Sequence, residues 1–141
     1  MTREVKIRYV NFGTRFQVID TAEDRPPNSE TKPSDSRLFR NELAFDVGGI
    51  CHGWEGQTAW VLDHHFSRGD DNFPSASAAV LHKAAALVSN AVGLDPQPEC
   101  FWLVTHVNPD FDALLSVYIA KFLLMECTNG MLPDGNPIRA C

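Results

Sequence analysis

The sequence has few cysteines, and no two of them form a Cys-x-x-Cys pair. The four are widely separated, at Cys51, Cys100, Cys127 and Cys141. A zinc ribbon and a dithiol redox motif both need closely spaced pairs, so this spacing argues against both. We expect reduced and mostly buried thiols, because free cysteine is among the residue types most often found in protein interiors.

The sequence also contains no long apolar run, and we expect no secretory leader. The longest apolar stretch, residues 113–127, is too short to span a bilayer and contains Lys121. The first six residues carry alternating charges and lack the apolar core that a signal peptide needs. We therefore expect a cytoplasmic protein with no membrane partner.

Basic residues are in the minority. Twelve Lys and Arg stand against 18 Asp and Glu, and the formal net charge of -6 argues against a broad basic face for long nucleic acid. The same balance leaves carboxylates available for metal ions. With 44% hydrophobic and 21% charged residues, the composition is that of a soluble globular protein rather than of a disordered chain, a collagen or a coiled coil. A chain of 141 residues has room for one core, so we treat 1–141 as a single domain.

Short runs of β-branched and aromatic residues predict five strands. They cover residues 5–12, 15–20, 43–47, 58–63 and 101–106. The first two flank the turn-forming residues 11–14 and predict an N-terminal β-hairpin. Helical spacing predicts helices over 76–92, with Ser75 as N-cap, and over 113–126. This alternation predicts an α/β fold whose mostly parallel sheet is flanked by helices.

Two segments have too few apolar residues for regular elements. Residues 20–37 are almost entirely polar, and we expect a mobile loop there. The final residues, 131–141, contain the turn signal Pro133-Asp134-Gly135 and no closing helix or strand after it. One expectation is therefore that the chain is the N-terminal part of a longer protein.

Polar clusters stand at the carboxyl ends of three predicted strands. They are Asp46 before the glycine pair 48–49, the run Asp63-His64-His65, and the turn from His106 to Asp112. In open α/β sheets, ligands bind at the carboxyl ends of the strands. The three clusters are therefore predicted to share one site.

The third cluster has the composition of a metal site. His106, Asp110 and Asp112 place an imidazole and two carboxylates within seven residues. Such a mixed set suits Mn²⁺, Zn²⁺, Fe²⁺ or Co²⁺ better than Ca²⁺, which prefers oxygen ligands alone. Adding Asp46 and His64 gives five ligands, which fit two metal ions roughly 3.5–4 Å apart that share a carboxylate. A pair of this kind activates water and holds phosphoryl oxygens.

Each cluster also has a purely structural interpretation. Asp46 alone is compatible with the cap of a turn, and His64 and His65 with ordinary, partly buried histidines. Residues 108–112 are compatible with a simple helix start in which Asp112 is the N-cap. Coincidence of all three at strand ends favours the metal site.

The motifs resemble those of a known family. The residues that carry the resemblance are Asp63-His64-His65 after an apolar strand, the turn His106-x-Asn108-Pro109-Asp110-x-Asp112, and Ser116. Together they look like the DHH phosphoesterase superfamily, with the turn closest to the inorganic pyrophosphatase and exopolyphosphatase branches. The strand end Asp46-Val47-Gly48-Gly49 and the small-residue helix over 75–82 are similar instead to the Myg-type exonuclease branch. The resemblance spans roughly residues 43–124, and the two main motifs stand in the reverse of the family's usual order.

That resemblance implies a ligand set and a metal. Two Mn²⁺ ions would be held by Asp46, His64, His106, Asp110 and Asp112, with Mg²⁺, Co²⁺ or Zn²⁺ as other metals. Asp110 would bind one ion, and Asp112 would bridge the two together with Asp46.

The remaining site residues would face the substrate. The resemblance implies catalytic roles for His65, which would contact the substrate phosphate, and for Asp63 behind it. Arg68, which follows soon after, is the nearest basic candidate for phosphate, and Asn108 is a further candidate in the turn.

Three functions remain open. The first is a metal-dependent phosphoesterase, a hydrolase of the exonuclease or pyrophosphatase kind, that cleaves a phosphodiester or phosphoanhydride bond with metal-activated water. Its substrate would be a short single-stranded oligonucleotide, a nucleotide or polyphosphate, because the acidic net charge disfavours duplex DNA. The others are a non-catalytic metal-binding or regulatory domain that retains the DHH fold, and a mononuclear metal hydrolase. We also expect either a homo-oligomer or a downstream domain that carries further substrate-binding residues.

Overall fold

The computed structural model describes residues 4–19, 23–54, 57–65, 73–127 and 131–138, which form seven strands and two helices. In chain order the elements are β1 (Glu4–Val10), β2 (Gln17–Val18), β3 (Arg37–Leu38), β4 (Glu42–Phe45), β5 (Cys51–Gly53), β6 (Trp60–Leu62), α1 (Ala76–Gly93), β7 (Cys100–His106) and α2 (Phe111–Glu126). The predicted α/β class with a mostly parallel sheet is confirmed.

Five strands form the main sheet, in the order β1-β7-β4-β6-β5. The first four of these run parallel, and only β5 is antiparallel to its neighbour. Val10 pairs with His106, and Phe45 pairs with Leu62. Because the parallel strands end at the same edge, the residues that follow β1, β4, β6 and β7 emerge together there.

The two faces of the sheet bury two apolar clusters. Leu43 and Phe45 of β4 point to one face, where both helices pack, whereas Ala44 between them points to the other. The second face is covered by the small β2–β3 sheet, which contributes Leu38. Burial on both faces explains why the central strands are uninterrupted apolar runs, since parallel sheets are covered on both sides.

Both helices lie close to their predicted positions. Ser75 is the N-cap of α1, as predicted, and its hydroxyl accepts a hydrogen bond from the N–H of Ala78. The second helix starts two residues before its predicted start, with Asp110 rather than Asp112 as N-cap. The Asp110 carboxylate accepts a hydrogen bond from Ala113 N–H at 2.9 Å, which satisfies one of the unpaired amides of the first turn.

The predicted N-terminal hairpin is not confirmed. The turn over residues 11–14 does form, with a hydrogen bond from Thr14 N–H to Asn11 O. After the turn, however, β1 pairs in parallel with β7, and β2 pairs with β3. Phe16 and Val18 pack on the second apolar cluster. Burial of these two side chains therefore carries the chain over the face of the sheet rather than back along β1.

The polar segment before β3 contains a buried charge. Arg25 is only 2% exposed, and its guanidinium forms ion pairs with Asp35 at 3.0 Å and with Glu42 of β4 at 2.9 Å. Arg8 of β1 forms an ion pair with the same Glu42 at 2.6 Å. These contacts tie residues 23–36 to the sheet, and the mobility of the loop stays a prediction.

Neither α1 nor α2, the helices of the described residues, is long and apolar enough to cross a membrane. After α2 the described chain resumes at Met131, which forms an isolated bridge with Pro137 around a tight turn. Ile138 and Leu132 of this segment pack against the helix-side cluster.

Candidate metal centre

The ends of three parallel strands bring their polar side chains together around Asp46. The Oδ1 atom of Asp46, which follows β4, lies 3.2 Å from His64 Nε2 and 3.7 Å from His65 Nδ1, both of which follow β6. The Oδ2 atom lies 3.3 Å from Nε2 of His106, the last residue of β7. The predicted meeting of the three clusters is thus present in the structure, with Asp46 at its middle.

The backbone around Asp46 is held in an unusual conformation. Asp46 has φ of 60° and Gly48 has φ of 112°, and residues other than glycine rarely adopt such backbone angles. A Cβ atom on Gly48 would stand 2.5 Å from Cγ1 of Val61. The loop after β4 therefore needs glycine at this position to pass against β6, and this path aims Asp46 into the site.

The Asp46 carboxylate is buried and incompletely satisfied. Its side chain is 1% exposed, and within the described residues its Oδ1 atom accepts no hydrogen bond despite the nearby His64. Burial raises the pKa of Asp46, and the charges of Asp110 and Asp112 raise it further, although the hydrogen bond from His106 opposes them. A buried oxygen without a partner is costly, and a bound cation would satisfy it.

Asp46 belongs to two groups of side chains that could each hold a metal ion. One consists of Asp46, His64 and His65, and the other of Asp46, His106 and Asp110. In each group the potential ligand atoms lie within 4.8 Å of one another. The first group is rich in imidazole and the second holds two carboxylates, and both suit a first-row divalent cation.

Asp63 orients His65. Its Oδ1 atom lies 2.6 Å from His65 Nδ1, and its Oδ2 atom accepts a hydrogen bond from Gly49 N–H at 2.9 Å. Burial lowers the pKa of His65, but the hydrogen bond and charge of Asp63, together with the charges of Asp46 and Asp110, outweigh it and raise that pKa above its ordinary value. The same nitrogen, Nδ1, also lies 3.7 Å from Asp46 Oδ1, so this contact holds the ring against the site.

Asp112 spans the gap between the two helices. Its carboxylate accepts hydrogen bonds from the N–H groups of Ala76 and Ser77 and from the Ser77 hydroxyl, all at the start of α1. Burial raises the pKa of Asp112, yet these bonds and the charge of His64 lower it below its ordinary value. His64 Nε2 is 3.6 Å away. Asp112 therefore borders the site, while its predicted role as a bridging ligand stays a prediction.

The predicted substrate-binding residues have different outcomes. His65 is exposed at the mouth of the site. Asn108 is also exposed and has φ of 56°, two residues before Asp110. Arg68 lies outside the described residues.

Sequence reasoning missed two residues that line the site, Phe12 and Arg15. The ring of Phe12 stands edge-on to His106, with centroids 5.2 Å apart, and edge-on to His65 at 6.4 Å. Residues 11–15 follow the carboxyl end of β1, which only the pairing of β1 with β7 brings to the site. The expected hairpin instead paired β1 with the next strand along the chain.

No protein-family model, curated protein or solved structure matches this chain. The chemistry open to the site therefore follows from its own residues: a buried carboxylate shared by two groups of ligands, an oriented histidine at the mouth, and a polar edge of a parallel sheet.

Proposed function

We propose that this protein is a metal-dependent phosphoesterase of the DHH type, which hydrolyses a phosphodiester or phosphoanhydride bond in a small phosphorylated substrate. The observation that carries the proposal is the Asp46 carboxylate, which is buried, has one oxygen without a hydrogen bond among the described residues, and belongs to both candidate ligand groups. The motifs around Asp63-His64-His65 and His106 to Asp112 support the same assignment.

The residues fit a divalent cation such as Mn²⁺. His64 on one side of Asp46, and His106 and Asp110 on the other, offer nitrogen and oxygen donors that Mn²⁺, Zn²⁺ and Co²⁺ accept. The unsatisfied Oδ1 atom of Asp46 is the position at which a cation would remove an energetic cost. We therefore assign Asp46 as the ligand common to two ions.

Bound divalent cations would supply charge neutralisation at phosphorus and a lowered pKa of water. The chain's own residues would do the positioning. Asp63 holds His65 through Nδ1, so the other ring nitrogen is available to donate to a phosphoryl oxygen when the ring is protonated. Phe12 packs edge-on against the imidazole rings of His65 and His106 and helps to hold their orientation.

A second candidate is a non-catalytic metal-binding domain. Asp112, one of the five predicted ligands, already accepts three hydrogen bonds from the start of α1 and belongs to neither candidate group. If Asp112 serves to hold the two helices together, it is not available as the carboxylate that bridges two ions. The site is then suited to binding one ion without catalysis.

Calorimetric titration of the chelator-treated protein with MnCl₂ tests the proposal. We expect two ions per chain for the wild type and loss of both in Asp46→Asn, because that carboxylate is shared. Mn²⁺-dependent hydrolysis of bis(p-nitrophenyl) phosphate and of pyrophosphate should fall at least about 100-fold in Asp46→Asn, since the Lewis-acid contribution of a metal is worth several kcal/mol.

Asp134→Asn is the matched control, since it removes an exposed carboxylate in the turn after α2. It should bind Mn²⁺ and hydrolyse both substrates like the wild type. One ion per chain without hydrolysis would favour the non-catalytic candidate. If Asp46→Asn binds Mn²⁺ as well as the wild type, the metal centre is wrong.

A further inference from the structure

A cleft of about 250 Å³ opens beside the candidate metal centre, on the side of the loop that follows β1. Phe12, Gly13 and Arg15 of that loop line the cleft. Asp46, Asp63 and His65 line the same cleft. The cleft thus joins residues of the candidate centre to a segment that none of the DHH-like motifs includes.

Arg15 lies directly on the backbone of the glycine loop. A Cβ atom on Gly49 would stand 2.8 Å from both Cζ and Nε of Arg15, so the absence of a side chain at Gly49 is what admits the guanidinium. Nη1 donates to the carbonyl oxygens of Gly13 and Thr14, each at 3.3 Å. The guanidinium is therefore held over Gly49, whose own N–H group is bonded to Asp63.

Arg15 carries a positive charge in a cleft that is also lined by carboxylates. Among the described residues that line the cleft, it is the one Lys or Arg, and the carboxylates of Asp46 and Asp63 belong to the same lining. A guanidinium is permanently charged, and its planar fork matches two oxygens of a phosphoryl group. An anion in the cleft would therefore lie in a cavity lined both by Asp46, a proposed metal ligand, and by the Arg15 guanidinium.

We propose that Arg15 binds a second phosphoryl group of the substrate, adjacent to the one that is cleaved. This inference rests on the proposed function and narrows it to short substrates with two neighbouring phosphoryl groups. The size of the cleft agrees, because about 250 Å³ is below the 300–1,000 Å³ typical of pockets for larger organic ligands. Phe12, which is 70% exposed, lines the same cleft and contacts His106 edge-on.

Binding of methylenediphosphonate, a diphosphate whose bridging carbon resists hydrolysis, tests the role of Arg15. The Mn²⁺-loaded wild type, Arg15→Gln and Arg15→Lys are titrated calorimetrically with this probe and, separately, with inorganic phosphate. We expect Arg15→Gln to weaken diphosphonate binding about 10-fold or more, the scale of a lost charged hydrogen bond. Phosphate binding should change less than 3-fold, and Arg15→Lys should lose less than Arg15→Gln.

Lys6→Gln is the matched control, because it removes one positive charge from an exposed position on β1. Lys6 lies four residues before the end of the strand, roughly 13 Å from the site edge at the usual rise per residue. Its variant should bind both probes like the wild type. Equal loss in Arg15→Gln and Lys6→Gln would overturn the inference, and so would equal loss of phosphate and diphosphonate in Arg15→Gln.

Mn²⁺ binding, measured first on each variant, separates the two proposals. Arg15 belongs to neither candidate ligand group, so Arg15→Gln should bind Mn²⁺ like the wild type. Mn²⁺ binding by the wild type without any effect of Arg15 on diphosphonate would refute the inference alone. A wild type that binds no Mn²⁺ would refute the proposed function and this inference with it.

Discussion

At the scale of single residues, the site depends on backbone angles that most side chains avoid. Asp46 and Asn108 both have positive φ, and each stands at the end of a strand beside a potential ligand. Strained backbone of this kind costs on the order of 1–3 kcal/mol per residue and persists only where surrounding contacts enforce it. Around Asp46 those contacts come from Gly48 and Gly49, which let the loop lie against β6 and Arg15.

Replacement of Gly48 by alanine should therefore destabilise the fold strongly. The new Cβ would meet Val61 Cγ1 at 2.5 Å in addition to the strain of a positive φ. We expect the free energy of unfolding in urea to fall by about 2–4 kcal/mol. Gly135→Ala is the control, since Gly135 also has positive φ but nothing within 4 Å, and it should cost about 1 kcal/mol. Equal losses in the two variants would contradict the packing argument.

The lowered pKa of Asp35 predicts that the folded protein loses stability in acid. Burial raises its pKa, but hydrogen bonds from Arg37 and Arg25 outweigh burial and hold the pKa well below its usual range. A carboxylate with a lowered pKa in the folded state stabilises the protein above its unfolded pKa, near 4, and loses that contribution as the pH falls further. The unfolding free energy of the wild type should drop more steeply between pH 5 and pH 2 than that of Asp35→Asn. Glu30→Gln, an exposed change in the same segment, should retain the wild-type slope.

At the scale of elements, the two helices start beside each other and share one carboxylate. Asp112 in the first turn of α2 accepts hydrogen bonds from the first residues of α1. A negative charge at a helix start also interacts favourably with the helix dipole. The same turn of α2 thus stabilises both helices and presents Asp110 to the site.

The neighbouring carboxylates Asp110 and Asp112 should separate structural from metal-binding roles. Asparagine is as good an N-cap as aspartate, so Asp110→Asn should keep the wild-type thermal stability while weakening Mn²⁺ binding. Asp112→Asn should lower the unfolding free energy by about 1–2 kcal/mol even without metal, because α1 loses a charged cap. Thermal unfolding with and without chelator measures both. A destabilised Asp110→Asn beside an unaffected Asp112→Asn would contradict these roles.

Elements that are marked by a run of neighbouring residues, such as an apolar strand or a helix cap, could be predicted from the sequence. The apolar runs of β4, β6 and β7 and the capped start of α1 were all identifiable, because burial on both faces and the Ser75 cap leave direct marks in the sequence. The short edge strand β5 has no such mark. The partner of β1 was predicted wrongly as β2, because strand pairing is decided by packing between distant segments.

The same distinction holds for the site. Asp46, His64 and His106 could be predicted because each follows a recognisable strand at the edge where ligands collect. Arg15 and Phe12 could not, since their position depends on β1 lying next to β7 rather than beside β2. The buried Arg25 was missed for a similar reason: its partner Glu42 lies on another element.

At the scale of the whole molecule, a buried ion cluster connects the N-terminal strand, the polar segment and the sheet. Glu42 in β4 is fully buried and pairs with both Arg8 and Arg25. It also accepts a hydrogen bond from Phe39 N–H at 3.0 Å. Removal of its charge would leave two buried guanidinium groups without their shared carboxylate.

Glu42→Gln should therefore destabilise the entire domain. Breaking a buried pair from one side typically costs about 3–5 kcal/mol, and we expect a loss of that size in urea unfolding. Glu4→Gln, which breaks an exposed ion pair with Lys6, should have an effect below about 1 kcal/mol. A Glu42→Gln protein as stable as the wild type would show that the cluster contributes little.

The pairing of β1 with β7 has a consequence for how the chain acquires its structure during synthesis. Residue 4 pairs with residue 100, so β1 cannot pair in the sheet until β7, the last of its strands in chain order, has been synthesised. Contacts between such distant residues slow folding because a long loop must close before they form. Until then the β4 edge that later pairs with β7 is unpaired, and an unpaired strand edge exposes the nascent protein to aggregation.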